Sequence, residues 1–189
     1  NLDAKLRVKM RAEVAQIQRE LKVTTIYVTH DQVEAMTMGD RVALMREGVL
    51  QQVATPDVMY HGPANTFVAS FIGSPAMNLF HAKLLGSDTG VMVHIGGQAL
   101  AISQEVQDKY DLIKDNIGQD IIIGMRPEDL EDASLKPDHP FHQCLTAPVA
   151  LLESLGSDHM AHVSLLAAAV TVGEDDDLET IALDATEKS

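Results

Sequence analysis

His30 is the residue whose type and place most directly suggest chemistry: it follows the apolar run Thr25-Ile26-Tyr27-Val28 and precedes Asp31-Gln32-Val33-Glu34. Residues 25–28 are too short and too apolar for a helix of their own, and are expected to form a strand buried on both faces. Asp31 and Glu34 stand at the D-x-x-E spacing of a capping box, which predicts a helix starting at about Asp31. His30 then lies just past the carboxyl end of a buried strand, where open α/β sheets hold their ligands. A neutral imidazole there can donate one hydrogen bond and accept another; the alternative is a hydrogen-bonded structural histidine. Asp3 is a second candidate, a carboxylate at a helix start, where an N-cap and a functional role are both open. His139, His142 and Cys144 form one histidine-rich group, and His159 and His162 another. Zinc sites need four ligands at better-defined spacing, and Pro140 interrupts the first group, so no metal is expected. Arg126 reads as a structural or interface residue in preference to a phosphate ligand.

The elements that must position these groups follow from periodicity. Leu6, Met10, Val14, Ile17 and Leu21 recur at steps of four, four, three and four, one apolar stripe on a helix over residues 4–22. Lys5, Arg7, Lys9, Arg11 and Arg19 fall largely off that stripe and are expected on a solvated face. The helix after His30 should run to about Met38, with Gly39 as its stop. Residues 41–45 and 49–53 flank Glu47-Gly48 as a hairpin. Thr55-Pro56 opens a short helix, His61-Gly62-Pro63 breaks it, and residues 65–72 form another. Gly73-Ser74-Pro75 stops that helix and fixes an extended exit.

From Leu79 the texture turns to β. Residues 79–85 and 90–95 read as strands, with Gly96-Gly97 turning the second into residues 98–102. Ser103 caps a predicted helix carrying Val106, Tyr110 and Ile113 on one face. Residues 121–125 make a buried strand ended by Arg126-Pro127-Glu128-Asp129-Leu130, and residues 145–152 and 159–166 pair. Together these predict small barrels of the oligosaccharide/oligonucleotide-binding (OB) type. Glu174-Asp175-Asp176-Asp177 reads as an exposed acidic loop.

Composition narrows the function classes. Residues 1–50 hold eight Lys/Arg and seven Asp/Glu, a net of +1; the remaining six Lys/Arg and 21 Asp/Glu give residues 51–189 a net of −15. Such an acidic second part disfavours phosphate-backbone binding, and the absence of tryptophan disfavours a base-stacking platform, so no nucleic acid is expected as a partner. No apolar run approaches the roughly 18 residues of a membrane span. The single cysteine, Cys144, suits a reducing compartment.

Residues 28–36 (VTHDQVEAM), preceded by residues 1–7 (NLDAKLR), resemble the late motifs of ATP-binding cassette (ABC) transporter ATPases, most nearly the carbohydrate-importer branch. Residues 71–78 (FIGSPAMN) resemble that branch's junction between catalytic and regulatory domains, and residues 124–130 (GMRPEDL) resemble a stretch of the regulatory domain. The resemblance implies an α/β fold, the carboxy-terminal part of a P-loop NTPase nucleotide-binding domain over residues 1–75. A mostly-β OB-type regulatory domain, incomplete, would follow over residues 76–189. It places His30 on the family's switch histidine, reaching the γ-phosphate and attacking water, and Asp3 on the D-loop aspartate that couples two sites across a dimer. It further implies ATP and Mg2+ in the complete protein, a second copy of the subunit, transmembrane permease partners and a cytoplasmic regulatory protein. The location would be peripheral, on the inner face of the cell membrane.

Other essential parts of such an ATPase are not in this sequence. None of the twelve glycines is followed by lysine, so there is no G-x-x-x-x-G-K-[ST] phosphate loop. The resemblance puts the Walker B pair just before Asn1. Residues 95–98 (IGGQ) lack the serine of the L-S-G-G-Q signature and follow the histidine instead of preceding it, which makes them a hairpin. The chain reads as a fragment, expected neither to bind nucleotide tightly nor to hydrolyse ATP alone. Rival readings are a non-catalytic regulatory module, or an importer ATPase for glycerol phosphate, polyamine or iron.

Overall fold

A computed structural model describes residues 2–88, 90–110, 112–135, 143–154, 156, 159–172 and 178–182. The chain divides into two compact units, Asn1–Ala76 and Met77–Ser189. No described helix is long and apolar enough to cross a membrane.

Unit 1 opens with helix α1, Leu2–Leu21, whose end is set by Lys22 in the left-handed region at φ 52°. Its surface pairs sit one turn apart, with Lys9–Glu13 at 3.7 Å and Gln16 donating to Glu20 at 2.8 Å. The apolar stripe from Leu6 to Leu21 stays 37–63% exposed. Residues 23–29 run on without strand structure, and both Ile26 and Val28 are 89% exposed. This corrects the expected buried strand. A strand needs a neighbour to take its backbone N–H and C=O groups, and none of the described residues pairs with this segment.

Helix α2, Gln32–Met38, stops at Gly39, whose φ of −84° is open to any residue. What Gly39 supplies is space: a Cβ there would meet the Arg41 and Ala35 carbonyl oxygens at 3.0 and 3.1 Å. Strands β1, Val42–Arg46, and β2, Val49–Ala54, pair antiparallel about Glu47-Gly48, both at positive φ as a two-residue hairpin turn requires. Helix α3, Pro56–His61, starts on the Thr55 hydroxyl, and helix α4, Thr66–Phe71, on the Asn65 carboxamide. Alternation sends Val42 and Leu44 inward, where Met59, Val68 and Ile72 complete the core. The Gln52 carboxamide donates to the Gly62 carbonyl at 3.0 Å and accepts from the Ala64 N–H at 2.8 Å, closing the bend between α3 and α4.

Unit 2 is built on strand β3, Asn78–Ser87. It pairs antiparallel with β6, Asp120–Met125, along residues 78–83, and with β4, Gly90–Ile95, along 83–87. Strand β5, Gln98–Ala101, adds to β4, while β9, Ala168–Val172, and β10, Leu178–Ala182, extend the other side. Phe80, Ala82, Leu84, Val91, Val93 and Ile95 fill the core with Leu165 and Ala167. Gly96 and Gly97 turn β4 into β5 at φ 56° and 77°, and a Cβ on Gly96 would crowd the Leu166 carbonyl at 3.0 Å.

Two expectations for this unit change. The helix predicted from Ser103 to Ile113 is two short pieces, α5, Gln104–Lys109, and α6, Leu112–Asp115. Ser103 does cap α5, but the buried residue is Gln107, its amide donating to the Ile102 carbonyl at 2.7 Å, while Val106 and Tyr110 face outward. The later pair is shorter than expected: β7, Val149–Ser154, and β8, His159–Val163, form their own two-stranded sheet. Pro148 has no N–H for the ladder, and only its carbonyl is used, by Ser164 at 3.0 Å.

Candidate functional site

The corner around His30 is held from both sides in sequence. The Asp31 carboxylate accepts from the Val33 and Glu34 N–H groups at 2.8 and 3.2 Å, capping α2. The Thr29 hydroxyl oxygen accepts from the Asp31 N–H at 3.0 Å and donates to the Glu34 carboxylate at 2.8 Å. The expected capping box is therefore not reciprocal. Thr29 occupies the Asp31 N–H that Glu34 would have taken, and Glu34 instead accepts from the Thr29 and Tyr27 hydroxyls, the latter at 3.2 Å. A Thr two residues before a helix cap is a recognisable turn former, so this bond had a local signal.

His30 itself is exposed, in a bend between residues 23–29 and α2. Its flanking side chains fix the backbone, and its imidazole is left available to a ligand. Asp3 lies in the first turn of α1, with its side chain outside the described residues. Lys9 and Arg19 are solvated as expected, but Arg11 turns inward to Glu34, Nε to Oε1 at 4.0 Å. That distance is an ion pair without a hydrogen bond, and it links α1 to α2. Lys5 and Arg7 fall outside the described side chains.

A hollow of about 170 Å³ adjoins this network, lined by Met10, Arg11, Val14, Tyr27, Glu34 and Met38. Its one carboxylate and one guanidinium are already paired, and the rest of its wall is mostly apolar, so it offers no cradle for a triphosphate. The Glu34 charge foremost, then burial and the hydrogen bond to Glu34, hold the Tyr27 phenol above its ordinary value near 10, with Arg11 opposing. A raised folded-state value means that this contribution to stability is complete below the unfolded tyrosine value and is lost as pH rises through the folded one. In an ultraviolet titration of the three tyrosines, Glu34→Gln is expected to move the Tyr27 transition to lower pH. An unmoved transition would remove Glu34 as its cause.

Sequence reasoning missed Gln32. Its carboxamide donates to the Gly73 carbonyl at 3.0 Å and accepts from the Gly73 N–H at 2.9 Å. The partner lies 41 residues away, so no local pattern announces it. Gln98 makes the same two-way clamp on Thr146, at 2.7 Å in each direction.

The remaining candidates sit in unit 2. Arg126 is buried at the end of β6, where desolvation lowers its guanidinium from the ordinary value against the opposing charge of Asp129. His139 and His142 lie outside the described residues, as do Glu174, Asp175, Asp176 and Asp177. His162 faces Glu153 across the β7–β8 pair at 3.1 Å. Among the described residues no group of three His, Cys, Asp or Glu is placed to hold a metal.

Residues 73–130 match the family described as the MalK OB fold domain. The chain is 50% identical over 166 residues to the trehalose/maltose import ATP-binding protein MalK of Thermococcus litoralis, covering 86% of this chain and 43% of that protein. It is 46% identical over 183 residues to the trehalose import ATP-binding protein SugC of Mycobacterium tuberculosis, covering 96% and 45%. It is also 46% identical over 162 residues to the sn-glycerol-3-phosphate import ATP-binding protein UgpC of Cereibacter sphaeroides, covering 86% and 41%. The chain thus spans less than half the length of these curated relatives.

Proposed function

We propose that the chain belongs with the MalK- and SugC-like ATP-binding proteins of sugar ABC importers that it resembles, and that it supplies two working parts of an importer's ATP-hydrolysing subunit. Unit 1 is the carboxy-terminal part of a P-loop NTPase nucleotide-binding domain and presents the switch histidine. Unit 2 is the OB-type regulatory domain. The observation that carries this reading is His30, an exposed imidazole on a corner whose neighbours Thr29 and Asp31 are both committed to fixing the backbone. Phosphoryl transfer asks a protein chiefly for positioning and electrostatics, and a fixed, accessible hydrogen-bonding group answers that need. His30 holds the γ-phosphate and attacking water in register, and Asp3 couples the two sites of a dimer.

His30 is the nucleotide contact that this reading assigns to the described residues, and the sequence has no phosphate loop. ATP and Mg2+ are therefore bound by the complete subunit, working as a pair beneath a transmembrane permease at the inner membrane face. The relatives' names support import of a sugar or related solute, and a regulatory protein would act through unit 2. A second reading, a regulatory module without catalysis, draws on the separate core that unit 2 builds for itself.

Measuring Mg2+-dependent ATP hydrolysis by the complete subunit that carries this sequence, alone and with its permease, separates the two. Turnover is expected. A complete subunit that binds no nucleotide would overturn the ATPase reading in favour of the module.

A further inference from the structure

We propose that Gln32 is a positioning residue for His30, hooking the His30 corner to the core of unit 1 through Gly73. The inference deepens the switch-histidine reading above and rests on it for its kinetic consequence.

Helix α2 is seven residues long and has no buried residue. Short helices in proteins draw most of their stability from packing an apolar face, and α2 offers only Ala35 and Met36, which pack partly buried at the margin of the core. Its amino-terminal cap is local, made by Asp31 and Thr29, and cannot say where the corner sits relative to the rest of the unit. Gln32 is the first residue of α2 and lies two positions from His30. Both atoms of its carboxamide bond to one peptide residue, Gly73, in the way adjacent strands exchange N–H and C=O. Gly73 is itself anchored, because the residue before it, Ile72, is among the most deeply buried side chains of the core with Met59 and Val68. The connection therefore runs from core to Ile72, Gly73, Gln32 and His30. Gly73 stands at φ 129°, a conformation that side chains rarely adopt, so its place in this tether is specific to glycine.

The tether is tested on this chain directly, by Gly73 amide exchange and by the His30 imidazole resonances, assigned with His30→Ala. Gln32→Met keeps the length of the side chain and removes both bonds. Losing two hydrogen bonds that close a local structure is expected to speed Gly73 exchange about tenfold or more and to shift or broaden the His30 signals. Gln32→Glu keeps an acceptor for the Gly73 N–H but loses the donor, and should fall between. Gly73→Ala breaks the same connection from the other side with Gln32 intact, and should move the same His30 signals. Unchanged His30 signals in Gln32→Met and Gly73→Ala would overturn the proposal, whatever the exchange does. In the complete subunit, Gln32→Met is expected to lower kcat for ATP about tenfold with KM within about twofold, since misplacement acts on the reacting geometry more than on binding. An unchanged kcat in a subunit that His30→Ala inactivates would also overturn it. A subunit in which His30→Ala is fully active refutes the switch-histidine reading, a result the signals on this chain do not depend on.

Discussion

His30→Ala in the complete subunit is expected to lower ATP turnover by about a hundredfold or more while leaving nucleotide affinity within a few-fold. The size follows from what a single preorganised hydrogen-bonding group contributes when it is aimed at the reacting centre of a charge-developing reaction. The split between turnover and affinity follows from the rest of the chemistry. A nucleotide's affinity is set mainly by its phosphate loop and metal, and this sequence contains no phosphate loop. Folding should be spared, because His30 is exposed and its neighbours, not its ring, hold the corner: Thr29 to Asp31 at 3.0 Å, and Asp31 to Val33 and Glu34 at 2.8 and 3.2 Å. Steady-state hydrolysis and equilibrium nucleotide binding, measured side by side, give the answer. Turnover equal to wild type would take His30 out of the mechanism, and a large loss of affinity would make it a binding residue.

The corner was legible in the sequence because its determinants are local. Asp31, Thr55 before Pro56, Asn65 and Ser103 each cap the helix their position announces. Gly48, Gly96 and Gly97 supply the positive φ their hairpin turns need, and Glu47 follows into that region beside Gly48. Failures came where a partner far along the chain decides. Residues 25–28 have the composition of a buried strand, yet composition supplies no neighbour, and without one Ile26 and Val28 stand in solvent. The carboxamides of Gln32, Gln52 and Gln98 each imitate a peptide group toward a backbone partner, over separations from 10 to 48 residues. Glutamine at such positions looks like surface. Gln107 likewise reads as the polar side of α5, and its burial becomes intelligible only with β4 in place: Gly90 leaves the room its amide fills, a Cβ there lying 3.2 Å from Nε2.

The second large effect concerns stability and tests whether the two cores stand independently. Met59→Ala is expected to destabilise unit 1 by about 2–5 kcal/mol, the range for truncating a large buried side chain when the surroundings close only partly over the cavity. Met59 has 0% of its surface exposed and sits among Val42, Leu44, Val68 and Ile72, so the space it leaves is walled by the hairpin and by α4. That core is small, and α1 and residues 23–29 add little to it because their apolar side chains lie largely outside. A loss of this size should bring unit 1 near its unfolding midpoint at ordinary temperature. In residue-resolved hydrogen exchange, the amides of the β1–β2 ladder should lose protection about 30-fold or more. The β3–β4 ladder should not change, since Met59 takes no part in the core of Phe80, Val93 and Ile95. Val49→Ala, at a well-exposed position on the same hairpin, should shift stability by no more than about 0.5 kcal/mol. Equal loss of protection in both ladders would show instead that the chain unfolds as one cooperative body.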